Sequence, residues 1–193
     1  MIKIILATSN PHKLEEINAI NTNSDIVFDV IKSDFNPVEN GKTFEDNATI
    51  KAKEASKITK MYCLADDSGL CVDALEGQPG IFSARYDKTP ELRINRLLKE
   101  LQGVPYDFRT AHFICAMVLT DENGKVLHKE KGKVFGYIDD SPKGENGFGY
   151  DPVFFLPDFD KTMAQLSEAE KNKVSHRANA LNPMLQWISE NLL

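Results

Sequence analysis

Cysteine is scarce in this chain of 193 residues: Cys63, Cys71 and Cys115 make an odd number, with no C-x-x-C pair. Each sits between apolar or aromatic neighbours, the setting in which a free cysteine serves as a small core residue. Long apolar runs are missing too. Near the start the longest is Ile4 to Ala7, far too short for a signal-peptide core or a membrane span. Together these absences lead us to expect a reduced, cytoplasmic protein. Basic residues are in deficit, 23 Lys+Arg against 29 Asp+Glu for a net charge of −6, which argues against a protein that coats nucleic-acid phosphates. A small phosphorylated ligand in a locally basic pocket stays possible on that count. There is no internal repeat, low-complexity tract or Pro/Ser-rich linker, and no G-x-x-x-x-G-K phosphate loop. What remains is an ordinary globular composition, 41% hydrophobic and 27% charged, at a length that suits one domain.

The patterns present alternate between two periods. Met1 to Thr8 reads as a buried strand, and His12 to Ile20 as a helix with Leu14, Ile17 and Ile20 on one side. Asp25 to Ile31 is a second strand. Thr43 and Asp46 have capping-box spacing ahead of a helix that lines Phe44, Ala48, Ala52, Ala55 and Ile58 on one face. Tyr62 to Ala65 is a strand leading into Asp66-Asp67-Ser68-Gly69, and Glu91 to Leu101 a helix. Phe108 to Thr120 and Lys125 to Tyr137 flank the hairpin signal Asp121-Glu122-Asn123-Gly124. The C-terminal third reads as helical, with Pro183 expected to kink or restart the helix. Strands alternating with helices and then a hairpin predict an α/β fold with a mixed sheet.

Four segments have chemistry-bearing side chains. Thr8-Ser9-Asn10-Pro11-His12-Lys13 falls at a strand-to-helix junction, where free N–H groups and a helix dipole favour phosphate; a plain N-cap with a surface lysine fits the same letters. Asp66 and Asp67 lie beside apolar residues, where two acids are costly unless a cation or several hydrogen bonds hold them. Strand alternation would send their side chains opposite ways and give them different tasks; an acidic turn is the alternative. Gly147-Phe148-Gly149-Tyr150-Asp151-Pro152 offers close backbone approach and two rings that could stack on a base, or else a tight bend with aromatic core residues. Lys171, Ser175, His176 and Arg177 form a cation cluster able to meet phosphates or a base edge, or a solvated helix face. His176 lacks a second ligand at zinc spacing.

Taken in order, Thr8-Ser9-Asn10-x-x-Lys13-x-x-Glu16, Ala65-Asp66-Asp67-Ser68-Gly69-Leu70, the run Pro79 to Tyr86, Gly147 to Pro152 and Ser175-His176-Arg177 resemble the inosine triphosphate pyrophosphatase family, also called XTP/dITP diphosphatases. The resemblance extends from about residue 3 to about residue 190. It implies a bent, mixed β-sheet flanked by helices in two lobes of one domain over residues 1–193, with a central active-site cleft, and a homodimer. It also implies Mg²⁺-dependent hydrolysis of ITP, XTP or dITP to the monophosphate and pyrophosphate. The triphosphate cradle then falls on Thr8, Ser9, Asn10 and Lys13, with Lys51 and Lys171 nearby. Glu39 becomes a metal ligand, Asp67 the general base and second metal ligand, and Ser68 a substrate contact. Phe148, Gly149, Tyr150, Asp151, His176 and Arg177 become the purine pocket. Ser9 stands where many relatives have Gly, and Asp46 where the family usually has Glu. Residues 42–60 hold five lysines and three acids, a local +2 suited to a polyanion. A related pyrophosphatase acting on modified pyrimidines and a non-catalytic nucleotide-binding module are the competing readings. Trp187 lies off the apolar stripe of its helix and is expected to pack locally or to face a partner subunit.

Overall fold

The computed structural model describes residues 1–8, 10–31 and 35–193. In chain order the regular elements are β1 (Ile2–Leu6), α1 (Pro11–Ile20), β2 (Ile26–Val30), α2 (Phe44–Thr59), β3 (Cys63–Val72), α3 (Pro90–Glu100), β4 (Thr110–Thr120), β5 (Val126–Ile138), β6 (Phe154–Leu156), β7 (Lys161–Thr162), α4 (Glu168–Val174) and α5 (His176–Leu192). The strands form a seven-stranded sheet in the order β2-β1-β3-β4-β5-β6-β7. β1 pairs in parallel with both β2 and β3, while β6 runs antiparallel to β5 and β7. β4 and β5 are sheet neighbours joined only by residues 121–125, which forces them antiparallel. The sheet is therefore mixed, as the alternation of elements predicts.

The chain divides into two compact units, the first comprising residues 1–67, 115–132 and 176–193, the second 68–114 and 133–175. In the first unit β1 is apolar at consecutive positions because both sheet faces are covered. Ile4 and Leu6 join Leu64, Cys115, Met117 and Leu119 in a cluster with Ile17 and Ile20 of α1 and Leu181, Met184, Leu185 and Ile188 of α5. Ile5 and Ala7 join Cys63, Ala65 and Val118 against Ala48, Ala52 and Ala55 of α2. Alanine at those three positions lets α2 lie close to the sheet. Each fully buried Leu or Ile here contributes about 1.5–3 kcal/mol, and truncating one, such as Leu6→Ala, would cost about 2–5 kcal/mol. The second unit has its own core, with Leu70, Val72, Ile94, Leu97, Leu101, Phe113, Ile138 and Phe154 among its members.

Four sequence expectations change. The strand expected to end at Ala65 instead runs straight through Asp66-Asp67-Ser68-Gly69 to Val72, because each acid meets cations on its own side. Ile58, expected on the buried face of α2, is 56% exposed. Pro183 does not restart the last helix, since α5 is continuous across it. Proline there forfeits one helical hydrogen bond, but the burial of Leu181, Met184, Leu185 and Ile188 on both sides outweighs that loss. Regular α-helix in the C-terminal third begins only at Glu168. Trp187 packs locally, stacked on His128 with ring centroids 4.7 Å apart.

Candidate active site

In the first unit, α2 is anchored by the expected capping box: the Thr43 side chain accepts from the Asp46 N–H, and the Asp46 carboxylate accepts from the Thr43 N–H. One and two turns in, Asn47 and Lys51 share a face, four residues apart. Both are buried and both reach Asp67. The Lys51 ammonium lies 3.3 Å from Asp67 Oδ1 and 3.3 Å from Glu39 Oε2, and Asn47 Nδ2 donates to Asp67 Oδ2 at 3.1 Å. Burial pushes the Asp67 carboxyl above its ordinary pKa, more than Lys51, Lys13 and the Asn47 amide pull it down. Burial also works against the charge on Lys51, but Asp67, Asp66 and Glu39 outweigh it and raise the pKa of its ammonium. Two carboxylates thus converge on one cation.

On the other side of β3, Asp66 is buried among charges. Its carboxylate accepts from Lys13 Nζ at 2.9 Å and from Arg177 Nη2 at 3.2 Å. The same guanidinium is paired with Glu16 through Nη1. Burial opposes ionisation of Asp66, yet Lys13, Arg177 and Lys51 hold it far below the usual carboxylate range. Two acids and two bases interlock here, so neither cation is left buried without a counter-charge. α5 reaches this place because β5 has Gly132 beneath its first turn. A Cβ there would lie 2.2 Å from the His176 carbonyl oxygen and 2.3 Å from the Ala180 nitrogen. His176 and Arg177 are both buried.

Of the proposed cradle, Thr8 Oγ1 accepts from the Asn10 N–H, and Asn10 Oδ1 caps α1 by accepting from the His12 N–H. Ser9 lies outside the described residues. Lys13 follows one turn into α1, as the junction predicts.

The second unit contains the glycine-rich segment. Gly147 and Gly149 have φ of 74° and 64°, and the Phe148 N–H donates to Asp151 Oδ2 at 2.9 Å. That same oxygen accepts from Lys171 Nζ at 2.8 Å, and the Lys171 ammonium lies 4.7 Å from the Phe148 ring centroid. Asp151 and Lys171 are both buried, so the pair locks the loop. Phe148 and Gly149 also line a pocket of about 450 Å³ with Pro90, Glu91, Ile94, Asn95, Pro142 and Pro152. Tyr150 takes the core option: it is 4% exposed and its hydroxyl donates to the Ser83 carbonyl at 2.9 Å. Ser68, half-buried, is the residue after Asp67 on β3.

The structure therefore gathers Glu39, Lys51 and Asp67 in one contact set and Lys13 with Arg177 around Asp66. Lys171 pairs instead with Asp151. Asn47, on Asp67, and Glu16, on Arg177, join these sets beyond the residues expected from the sequence. Asparagine is a poor residue for a helix interior, and its place four before Lys51 was the available signal. Among the described residues no group of three or more His, Cys, Asp or Glu forms a metal cluster, but Glu39 and Asp67 are a hard-oxygen pair already sharing a cation. Such a pair fits Mg²⁺, which keeps several waters and needs few protein ligands. No helix among the described residues is long and apolar enough to cross a membrane.

A model of the Ham1 family matches residues 4–187. The dITP/XTP pyrophosphatase of Geobacter sulfurreducens is 46% identical over 187 residues, covering 94% of each chain. Among solved structures, the HAM1 protein of Coxiella burnetii superposes with a TM-score of 0.89 at 38% identity, covering 98% of this chain and 100% of that one. A nucleoside-triphosphatase / dITP/XTP pyrophosphatase of Mycobacterium abscessus gives 0.76 at 38% identity, covering 95% and 99%.

Proposed function

The chain belongs to the Ham1 family, and from that membership we propose that it hydrolyses non-standard purine nucleoside triphosphates, dITP, XTP and ITP, to the monophosphate and pyrophosphate. The observation that carries the site assignment is the convergence of Glu39 and Asp67 on the Lys51 ammonium, 3.3 Å from each. Glu39 and Asp67 would hold Mg²⁺. When bound, that ion supplies positive charge to offset the charge developing on the phosphates.

Asp67 is the general base. Its carboxylate orients the attacking water and takes its proton as the α–β anhydride bond breaks. Asn47 and Lys51 hold it from one helix face, which fixes the direction in which it presents its oxygens. Lys13, Lys51 and Lys171 neutralise the triphosphate, while Thr8, Ser9 and Asn10 present it with donors at the start of α1. Ser68 is a further substrate contact. We assign the purine to Phe148, Gly149, Tyr150, Asp151, His176 and Arg177. In this set Phe148 offers the ring face, and Tyr150 anchors the loop through its hydroxyl. Donors aimed at a 6-keto oxygen would be left unpaired by the 6-amino group of adenine, which is how a polar pocket rejects a near-isostere. We take the protein to work as a homodimer in the reducing cytoplasm, where its three free thiols are stable.

Pyrophosphate release from ITP, XTP, dITP, ATP, GTP and dUTP, with Mg²⁺ and with chelator, tests this reading. Release from the first three, abolished by chelator, is expected. Equal rates on ATP and ITP would sink the discrimination, and binding without release from any of the six would make the chain a nucleotide-binding module.

A further inference from the structure

Asn47 is fully buried in a helix interior, where an asparagine is disfavoured unless its amide is used. Both ends of the amide are used. Oδ1 accepts from the Gly41 N–H at 2.9 Å, and Nδ2 donates to Asp67 Oδ2 at 3.1 Å. Gly41 stands two residues after Glu39, so one amide ties the segment bearing Glu39 to the strand residue Asp67. The closeness of that segment depends on glycine. A Cβ at position 41 would lie 2.5 Å from Asp46 Cβ and 2.7 Å from Asn47 Oδ1. The capping box fixes the helix end against which both are set.

We propose that Asn47 is a positioning residue for the reaction, setting the placement of the Glu39 and Asp67 carboxylates relative to each other. The inference rests on the function proposed above. Its chemistry is particular to a primary amide, which accepts at one end and donates at the other. Aspartate has the same shape but would set a second carboxylate against Asp67 in place of the donor. Asn47 touches no phosphate in this assignment, so its loss acts on turnover and on the metal rather than on nucleotide binding.

The test uses Asn47→Asp, and Gly41→Ala, which displaces the Glu39 segment from the amide while leaving Asn47 itself intact. For both, kcat for ITP at saturating Mg²⁺ is expected to fall about 10–100-fold, with KM and the calorimetric affinity for ITP in chelator within about 3-fold of wild type. Binding of Mn²⁺ alone, followed by its EPR signal, should weaken about 10–100-fold in Gly41→Ala, which adds no charge. Should Asn47→Asp fail to fold, Gly41→Ala gives the same readings. Unchanged kcat and Mn²⁺ affinity in a folded variant, or a loss confined to ITP affinity, would overturn the inference alone. A wild-type protein releasing no pyrophosphate from any nucleotide would overturn the reading beneath it.

Discussion

Asp66 and Asp67 are consecutive on one strand and hold different cations. The Asp66 carboxylate meets Lys13 at 2.9 Å and Arg177 at 3.2 Å, and the Asp67 carboxylate meets Lys51 at 3.3 Å. A strand puts neighbouring side chains on opposite faces, so one residue of offset separates a charge that holds the fold from a charge available for chemistry.

This separation predicts different phenotypes for two identical substitutions. Asp66→Asn leaves Lys13 and Arg177 short of a buried counter-charge and should destabilise the protein by about 3–5 kcal/mol. Asp67→Asn removes a carboxylate that burial already disfavours and leaves Glu39 beside Lys51, so the stability loss should be smaller than for Asp66→Asn while kcat falls about 10²–10⁴-fold. Urea denaturation beside pyrophosphate release measures both. An Asp67→Asn variant with near wild-type turnover would show that Asp67 is not the base.

Gly132→Ala should act on α5 from beneath. The added Cβ falls within 2.2–2.7 Å of backbone atoms of His176, Asn179 and Ala180, and backbone yields less readily than a side chain. We expect about 1–3 kcal/mol of destabilisation and a reduced ITP-to-ATP rate ratio as His176 and Arg177 shift. An unchanged melting temperature and ratio would mean the helix can move off β5 at no cost.

Alkaline stability should depend on Tyr86. Its hydroxyl donates to Glu100, and Arg96 covers its ring at 3.9 Å. Burial, reinforced by the Glu100 hydrogen bond, pushes its pKa up to about 12, against about 10 in an unfolded chain. The folded state therefore binds this proton more tightly, and the stabilisation is complete below about pH 10 and lost as pH rises towards 12. Tyr86→Phe should be less stable than wild type by about 1 kcal/mol at pH 8, and the gap should close between pH 10 and 12. A gap that stays constant across that range would show that the tyrosine proton is not linked to folding.

Local signals in the sequence carried well where the physics is local. The Thr43–Asp46 capping box, the Asn10 cap and the Asn123-Gly124 turn each involve atoms a few residues apart, and all are present. Period-two alternation also foresaw opposite faces for Asp66 and Asp67. Tertiary burial overrides the local preference in β3, which runs on through two adjacent acids, and in α5, which does not restart at Pro183.

By itself the sequence determined the order of elements from β1 to β5, the helix caps, the lack of a basic excess and the motif order that points to the family. Tertiary structure alone decided the pairings: Lys13 with Asp66 across 53 residues, Arg177 with Asp66 across 111 and with Glu16 across 161, and Asn47 between Gly41 and Asp67. Periodicity reports which face a side chain takes, not what covers that face. The covering partner comes from distant segments, and a buried charge keeps its ionised form only beside the partner that folding brings to it.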